Sequence, residues 1–188
     1  TTFWNSCMGL FSTPTNEGSS RIDEEYLAGT QEEWQHKCPN CGEYHLLRHI
    51  DMTVDYKEIK TPSGKKTVIV NDVKWRCPHC GFSFSEKEMK QTPQKYISRN
   101  ADALKNGIRS FFVNGFTSPW MIWTRIMREW LEAKGDPERE KVIMNTVFGE
   151  SYKQKGAFED EQIFLRRRES YGAELPNGVL LLTAAIDT

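Results

Sequence analysis

Four cysteines in two matched motifs are the residues of this chain best suited to chemistry. The motif CPNCG begins at Cys38 and the motif CPHCG begins at Cys77, with 35 residues between Cys41 and Cys77. A tight turn of this kind presents two thiolates, and its glycine lets the backbone N–H groups fold back toward sulfur. Two such turns complete a four-sulfur tetrahedron, so the sequence predicts structural zinc on Cys38, Cys41, Cys77 and Cys80. Two disulfides or free thiols are the alternative.

Zinc held by four thiolates has no open position for water, so the predicted site holds shape and does not activate a nucleophile. Zinc of this kind contributes about 10–16 kcal/mol in small metal domains. Four histidines near the motifs could each replace a thiolate: His36, His45, His49 and His79. The chain carries no GxxxxGK[ST] loop and no GxGxxG, GxSxG or HExxH motif, so we predict no complete active site within it.

Composition is typical of a soluble chain of one or two domains, with 38% hydrophobic and 27% charged residues among 188. The longest apolar run, 178–186, is too short to cross a membrane. Net charge is −1, but residues 37–110 carry 14 basic and eight acidic groups, or +6. That basic region could bind DNA phosphates or could be a solvated surface. Cys7 has no partner once the four cysteines are assigned, which fits a reducing compartment.

The hydrophobic pattern predicts a mixed α+β fold with two zinc-binding turns at its centre. We expect strands at 3–11, 43–54, 67–75, 110–113 and 178–186. We expect helices at 21–34, from Ser85, at 118–135 and at 136–149, the last two capped by Ser118-Pro119 and Asp136-Pro137. Trp120, Trp123 and Trp130 share one stripe of the helix at 118–135, and we interpret that stripe as core rather than as a base-stacking surface.

Asp187 ends the apolar run 178–186, which has the composition of a strand buried on both faces. A lone carboxylate there is costly to bury, so it is expected to bind metal or to pair with a base, unless it caps the next turn. A buried strand needs neighbours on each side. We therefore expect a piece of a longer protein, the alternative being that 178–186 pairs with 3–11.

The order of five motifs resembles the large subunit of tailed-phage DNA-packaging terminases, specifically the lambda-like group. FSTPT at 11–15 is similar to a segment that ends a strand of the packaging ATPase. The CPNCG and CPHCG motifs resemble the zinc-ribbon insertion that follows. GFTSPW at 115–120, NTVFGE at 145–150 and LLTAAID at 181–187 resemble the helical stretch, the ATPase–nuclease junction and the first nuclease strand, in that order.

The resemblance implies four segments: the C-terminal end of a P-loop ATPase (1–36), the zinc ribbon (37–90), a helical remainder with linker (91–150), and a linker with the first RNase H-like strand (151–188). It implies that Ser12, Thr13 and Thr15 couple ATP hydrolysis to movement and that Asp187 binds a nuclease metal. The terminal strands would then belong to incomplete α/β ATPase and RNase H-like domains.

The resemblance also implies cofactors and partners for the parent protein. These are ATP with Mg²⁺, a Mg²⁺ or Mn²⁺ pair in the nuclease, double-stranded DNA, the terminase small subunit and the portal, all in the host cytoplasm and without a membrane. The parent would hydrolyse ATP to drive DNA into a capsid and would cut concatemeric DNA, while this chain alone would be inactive. A stand-alone zinc-ribbon adaptor that binds DNA or protein is the alternative.

Overall fold

A computed structural model describes residue 4, residues 6–60 and residues 66–153 of the chain. The chain divides into two units, Thr1–Gln154 and Lys155–Thr188, and the described residues belong to the first. The predicted strand at 178–186 and Asp187 lie outside the described residues, as do residues 61–65. No helix among the described residues is long and apolar enough to cross a membrane.

The elements confirm a mixed α+β fold. The helices are α1 (Arg21–Ala28), α2 (Glu86–Gln91), α3 (Trp123–Ala133) and α4 (Pro137–Ile143), the last followed by a π-helical turn at Met144–Phe148. The strands are β1 (Glu32–Lys37), β2 (Tyr44–His45), β3 (Met52–Lys60), β4 (Lys66–Arg76), β5 (Ser83–Ser85), β6 (Gln94–Ser98) and β7 (Phe111–Phe112). Short 3₁₀ turns lie at His49–Asp51, Ala101–Asn106 and Gly115–Thr117.

Two small sheets carry the two cysteine motifs. In the first, β1 pairs antiparallel with β6 along its length and with β2 at its C-terminal end, while β7 pairs in parallel with its first residues. In the second, β3, β4 and β5 are antiparallel in that order, with a bulge between Asp55 and Tyr56. The first cysteine motif connects β1 to β2 and the second connects β4 to β5. Each motif is therefore a hairpin connection, as its tight turn predicts.

One hydrophobic core joins the cysteine motifs to the helices. Strand β4 contributes Val73 and Trp75, which lie against α3 and its neighbours. The buried members of this core are Cys38, Leu47, Val73, Trp75, Cys77, Met89, Phe116, Trp123, Ile126, Met127, Ala133, Ile143 and Phe148. The ribbon is therefore packed into the same core as α3 and α4, and it has no separate core of its own among the described residues.

The strand predicted at 3–11 is wrong over its described part. Residues 6–11 form no strand, and Met8 and Phe11 are 80% and 96% exposed. A strand requires a hydrogen-bonded partner, and the described residues offer none to this segment. The alternative pairing with 178–186 lies outside the described residues.

The helix predicted at 21–34 is too long, because α1 ends at Ala28 and β1 begins at Glu32. Here the pairing of residues 32–37 with distant strands overrides the local helical spacing. The Glu32 carboxylate accepts from Arg109 Nε and Nη2 at 2.9 and 2.8 Å, and this bond lowers the pKa of Glu32. Glu33 pairs with Arg99 at 2.9 Å. Both nearly buried carboxylates of β1 thus require partners on distant segments, which local sequence does not reveal.

The helix predicted at 118–135 begins five residues late, at Trp123, and Ser118 does not cap it. The cause is a pair of charges on α2. Lys90 Nζ donates to the carbonyls of Ser118 and Met121 at 2.7 and 2.9 Å, which holds the preceding segment in a loop. Glu86 accepts the backbone N–H of Trp123 at 2.9 Å and so caps the helix from outside. By contrast, Ser85 and Asp136 cap α2 and α4 as predicted.

The tryptophan stripe is core at Trp123 and Trp130 but not at Trp120, which is 88% exposed. Trp123 is fully buried, and its Nε1 donates to the Phe116 carbonyl at 2.9 Å. Trp123→Ala should therefore cost about 3–5 kcal/mol of unfolding free energy. Trp120→Ala is the matched control and should stay within about 0.5 kcal/mol of wild type. Urea unfolding of both variants measures this; equal losses would contradict the burial of Trp123.

Candidate metal centre

The two cysteine motifs adopt the same backbone conformation. In the first, Cys38 N–H donates to the Glu43 carbonyl at 2.8 Å and Gly42 N–H donates to the Cys38 carbonyl at 3.0 Å. In the second, the matching bonds from Cys77 and Gly81 measure 2.8 and 2.9 Å. Gly42 and Gly81 have φ of +78° and +76°, the left-handed region that a side chain strains. The glycine in each motif is thus required by the turn, as predicted. We call each motif, with its flanking turn, a knuckle.

The knuckles bring the four sulfur atoms together. All four lie within 4.8 Å of one another, and the pairs Cys38–Cys80 and Cys41–Cys77 are both 3.8 Å apart. A tetrahedron with Zn–S bonds of about 2.3 Å has S···S edges of about 3.8 Å. A disulfide would require about 2.05 Å, and all four cysteines are free. The cluster is therefore consistent with zinc, and the disulfide alternative does not fit it.

The pKa values of the cluster differ from one thiol to the next. The backbone N–H of Phe82, together with the Asn40 side chain, lowers the pKa of the Cys80 thiol to about 6. Burial raises the pKa of the Cys77 thiol to about 12. Neighbouring thiolates repel each other, so four of them are charged together only around a cation. The donor set fits Zn²⁺, which would hold the two sheets in place and leave no position for a substrate.

The four histidines near the knuckles lie outside the cluster, whose members among the described residues are all cysteines. His36 is fully buried, with Nδ1 3.0 Å from the Met89 carbonyl and Nε2 3.4 Å from Thr117 Oγ1. Burial lowers the pKa of His36, so the neutral ring donates to Met89 and accepts from Thr117. His36 thus connects β1, the strand before the first knuckle, to α2 and to the GFTSPW segment.

The NTVFGE segment lies against the same core. Phe148 stacks on Phe116 and on His49, with ring centroids 5.5 and 4.5 Å apart. Gly149 has φ +69°, and a Cβ there would stand 3.1 Å from the Phe112 ring, so both backbone and space restrict this position to glycine. Glu150 lies 3.9 Å from His49 Nδ1, and burial raises the pKa of Glu150 and lowers that of His49.

The Ser-Thr-Pro-Thr segment, residues 12–15, is hydrogen-bonded to residues at the end of the described range 66–153. Tyr152 N–H donates to the Thr15 carbonyl at 2.9 Å, and Glu17 N–H donates to the Tyr152 carbonyl at 3.1 Å. Ser12 and Thr13 are exposed beside a cavity of about 410 Å³ at the start of α1. The structure thus places the three predicted coupling residues beside the start of α1, with Thr15 bonded to Tyr152. Asp187 lies outside the described residues.

Two features of the site were not found from sequence. One is the Glu86–Lys90 pair, whose signal is an ordinary i, i+4 charge pair that gives no hint of its contacts to the segment before α3. The other is β6, whose polar sequence QKYIS does not resemble a strand. Its register against β1, which puts Trp34 opposite Tyr96, depends on tertiary pairing that the sequence pattern does not indicate.

Fold and site together define an α+β chain built around a four-cysteine module. Two family models match it: "Phage terminase large subunit gpA, ATPase domain" over residues 1–100, and "Terminase large subunit gpA, endonuclease domain" over residues 108–188. The chain belongs to the phage terminase large subunit gpA family, which confirms the family resemblance seen in the motifs.

Curated relatives agree with the family models. The chain is 27% identical over 195 residues to "Terminase, large subunit" of Escherichia phage lambda and, at the same identity and length, to "Terminase, large subunit" of Enterobacteria phage P21. Each alignment covers 94% of this chain but 30% of the relative, so the chain spans about a third of their length. No solved structure matches.

Proposed function

We propose that this chain supplies a structural zinc module to a terminase large subunit, at the place where the ATPase and nuclease parts meet. The observation that carries this proposal is the shared core. Cys38, Trp75 and Cys77 come from the stretch matched by the ATPase model, whereas Trp123 and Phe148 come from the stretch matched by the endonuclease model. A metal that fixes the first group also fixes the surface on which the second group packs.

The closed donor set argues for a bracing role rather than a catalytic one. Four thiolates fill the zinc tetrahedron, so no ligand position is left for water or phosphate. Within the described residues the cysteine cluster is the one group with metal-ligand geometry. We infer that chemistry in the parent uses residues beyond those that the structure describes, which is consistent with the limited share of the relatives that this chain covers.

For the parent we propose ATP-driven DNA translocation and endonucleolytic cutting of concatemeric DNA. Residues 1–36 would end the ATPase, 37–90 would be the ribbon, 91–150 a helical remainder with linker, and 151–188 would lead into the nuclease. Asp187 would hold one of two Mg²⁺ or Mn²⁺ ions. Such a pair, about 4 Å apart, clamps the attacking and leaving oxygens of a phosphodiester.

Nucleotide coupling is proposed for Ser12, Thr13 and Thr15, with ATP and Mg²⁺ bound elsewhere in the parent. The hydrogen bond from Tyr152 N–H to the Thr15 carbonyl supports this role, because it links the coupling segment to the residues that follow NTVFGE. Double-stranded DNA, the small subunit and the portal are the proposed partners, in the host cytoplasm.

The test of this assignment is the reading frame in the source DNA on either side of the segment. A frame that continues upstream into GxxxxGK[ST] and downstream into further strand-end carboxylates is the expected result. A frame bounded by start and stop codons at these ends would leave a zinc-ribbon protein without catalysis, and the adaptor hypothesis would replace the motor hypothesis.

A further inference from the structure

A cation stands at the equivalent position of each knuckle, directly before its first cysteine. Lys37 precedes Cys38 and Arg76 precedes Cys77, and both side chains fold over the glycine of their own knuckle. Lys37 Cε lies 3.7 Å, and Arg76 Nη2 3.9 Å, from the point where a Cβ on that glycine would stand. Because the two cysteines belong to one cluster, both cations flank the same metal centre.

A third cation joins them through the first sheet. Lys37 pairs with Tyr44 across β1 and β2, while Gln35 pairs with Lys95 across β1 and β6. Alternation along β1 places Gln35 and Lys37 on one face, so Tyr44 and Lys95 share that face. Lys95 Nζ lies 4.3 Å from the centre of the Tyr44 ring, which holds the ammonium group toward the first knuckle. We call Lys37, Arg76 and Lys95 the knuckle cations.

The knuckle cations are exposed and have no carboxylate within 4.0 Å among the described residues. Several other basic side chains of the described part do have one. Arg99, Arg109, Lys105 and Arg125 all pair with Asp or Glu at 2.7–2.9 Å. Glu43 is the acidic neighbour on the first knuckle. Lys37, Arg76 and Lys95 are therefore free of carboxylate partners at the metal end of the ribbon, where the nearest negative charge is that of the four thiolates around a zinc ion, net −2.

We propose that the knuckle cations bind the phosphate backbone of duplex DNA, with the zinc centre fixing their spacing. This proposal rests on the proposed function, which makes duplex DNA the partner of the parent, and it assigns the contact surface. Polyanionic DNA fits a cluster of unpaired cations because each phosphate contact releases condensed counterions. The metal would fix the knuckle backbone that carries Lys37 and Arg76, and Lys95 lies on the paired strand β6, so the main chain at the three cations loses little conformational freedom on binding.

The test uses the zinc-loaded 188-residue chain and a fluorescent duplex of random sequence, titrated over a range of salt. The variant Lys37→Gln/Arg76→Gln/Lys95→Gln should flatten the slope of log K against log salt by about 2.7 if each contact contributes about 0.9. Affinity should fall about five-hundredfold at about 0.1 M salt by the same relation, if the affinity extrapolated to about 1 M salt is unchanged. Glu43→Gln should strengthen binding, because it removes the neighbouring negative charge.

The matched control removes the same charges elsewhere: Lys105→Gln/Arg125→Gln/Lys141→Gln. It should keep nearly the wild-type slope, and all variants should retain one zinc per chain. Equal slopes for the two triple variants, or no duplex binding by wild type, would overturn the proposal, as would equal affinity for poly-glutamate. If the parent still translocates and cuts DNA in that case, the proposed function stands and the contact surface alone is wrong.

Discussion

Cys38→Ser should release the metal and unfold the core that the knuckles share with α3. Cys38 and Cys77 are both 1% exposed and belong to the same core as Trp75 and Trp123. Structural zinc contributes about 10–16 kcal/mol in small metal domains. A domain of this size has a total stability of about 5–15 kcal/mol. The loss of one ligand, and with it the metal, therefore removes a free energy comparable to the total free energy of unfolding.

Zinc stoichiometry and an amide NMR spectrum measure this effect, and Cys77→Ser should behave in the same way. Cys7→Ser is the control, because Cys7 is exposed and lies outside the cluster. It should keep one zinc per chain and a well-dispersed spectrum. Full metal content and a sharp spectrum in Cys38→Ser would show that the four-cysteine assignment is wrong.

Asp187→Ala in the parent should abolish DNA cutting and leave ATP hydrolysis intact. The expected loss follows from the proposed two-metal mechanism, in which removal of a carboxylate ligand leaves one ion without its charge partner. In the proposed function ATP binds elsewhere in the parent, so its hydrolysis should not depend on this carboxylate. Cleavage of concatemeric DNA and release of phosphate, measured on the same preparation, separate the two activities.

Asp102→Ala is a suitable control for that variant, because Asp102 is an exposed carboxylate paired only with Lys105 among the described residues. It should cut DNA at the wild-type rate. Equal loss of cutting and ATP hydrolysis in Asp187→Ala would instead indicate a structural role for the residue, and unchanged cutting would remove it from the nuclease site.

The features that sequence predicted best are those whose cause is local. The knuckles require cysteine, proline and a left-handed glycine within five residues, and the structure has the same turn in both. The caps at Ser85 and Asp136 are also local, because each side chain bonds a backbone N–H three residues away. These rules act before tertiary packing does, so they can be applied to sequence alone.

The features that sequence missed depend on distant partners. The start of α3 is set by Glu86 and Lys90, more than 30 residues earlier. Strand β1 forms because Arg99 and Arg109 neutralise its glutamates. Trp120 is exposed and Trp123 is buried for the same reason: α3 starts late, so Trp120 lies in the loop before the helix. No local sequence pattern predicts the packing of the ribbon on α3 either.

X-ray absorption at the zinc edge of the purified chain tests the central claim, a closed structural zinc site, most directly. We expect four sulfur neighbours at about 2.3 Å and no lighter ligand. A nitrogen or oxygen neighbour at about 2.0 Å, with three or fewer sulfurs, would contradict a closed four-cysteine site and reopen the question of a histidine or water ligand.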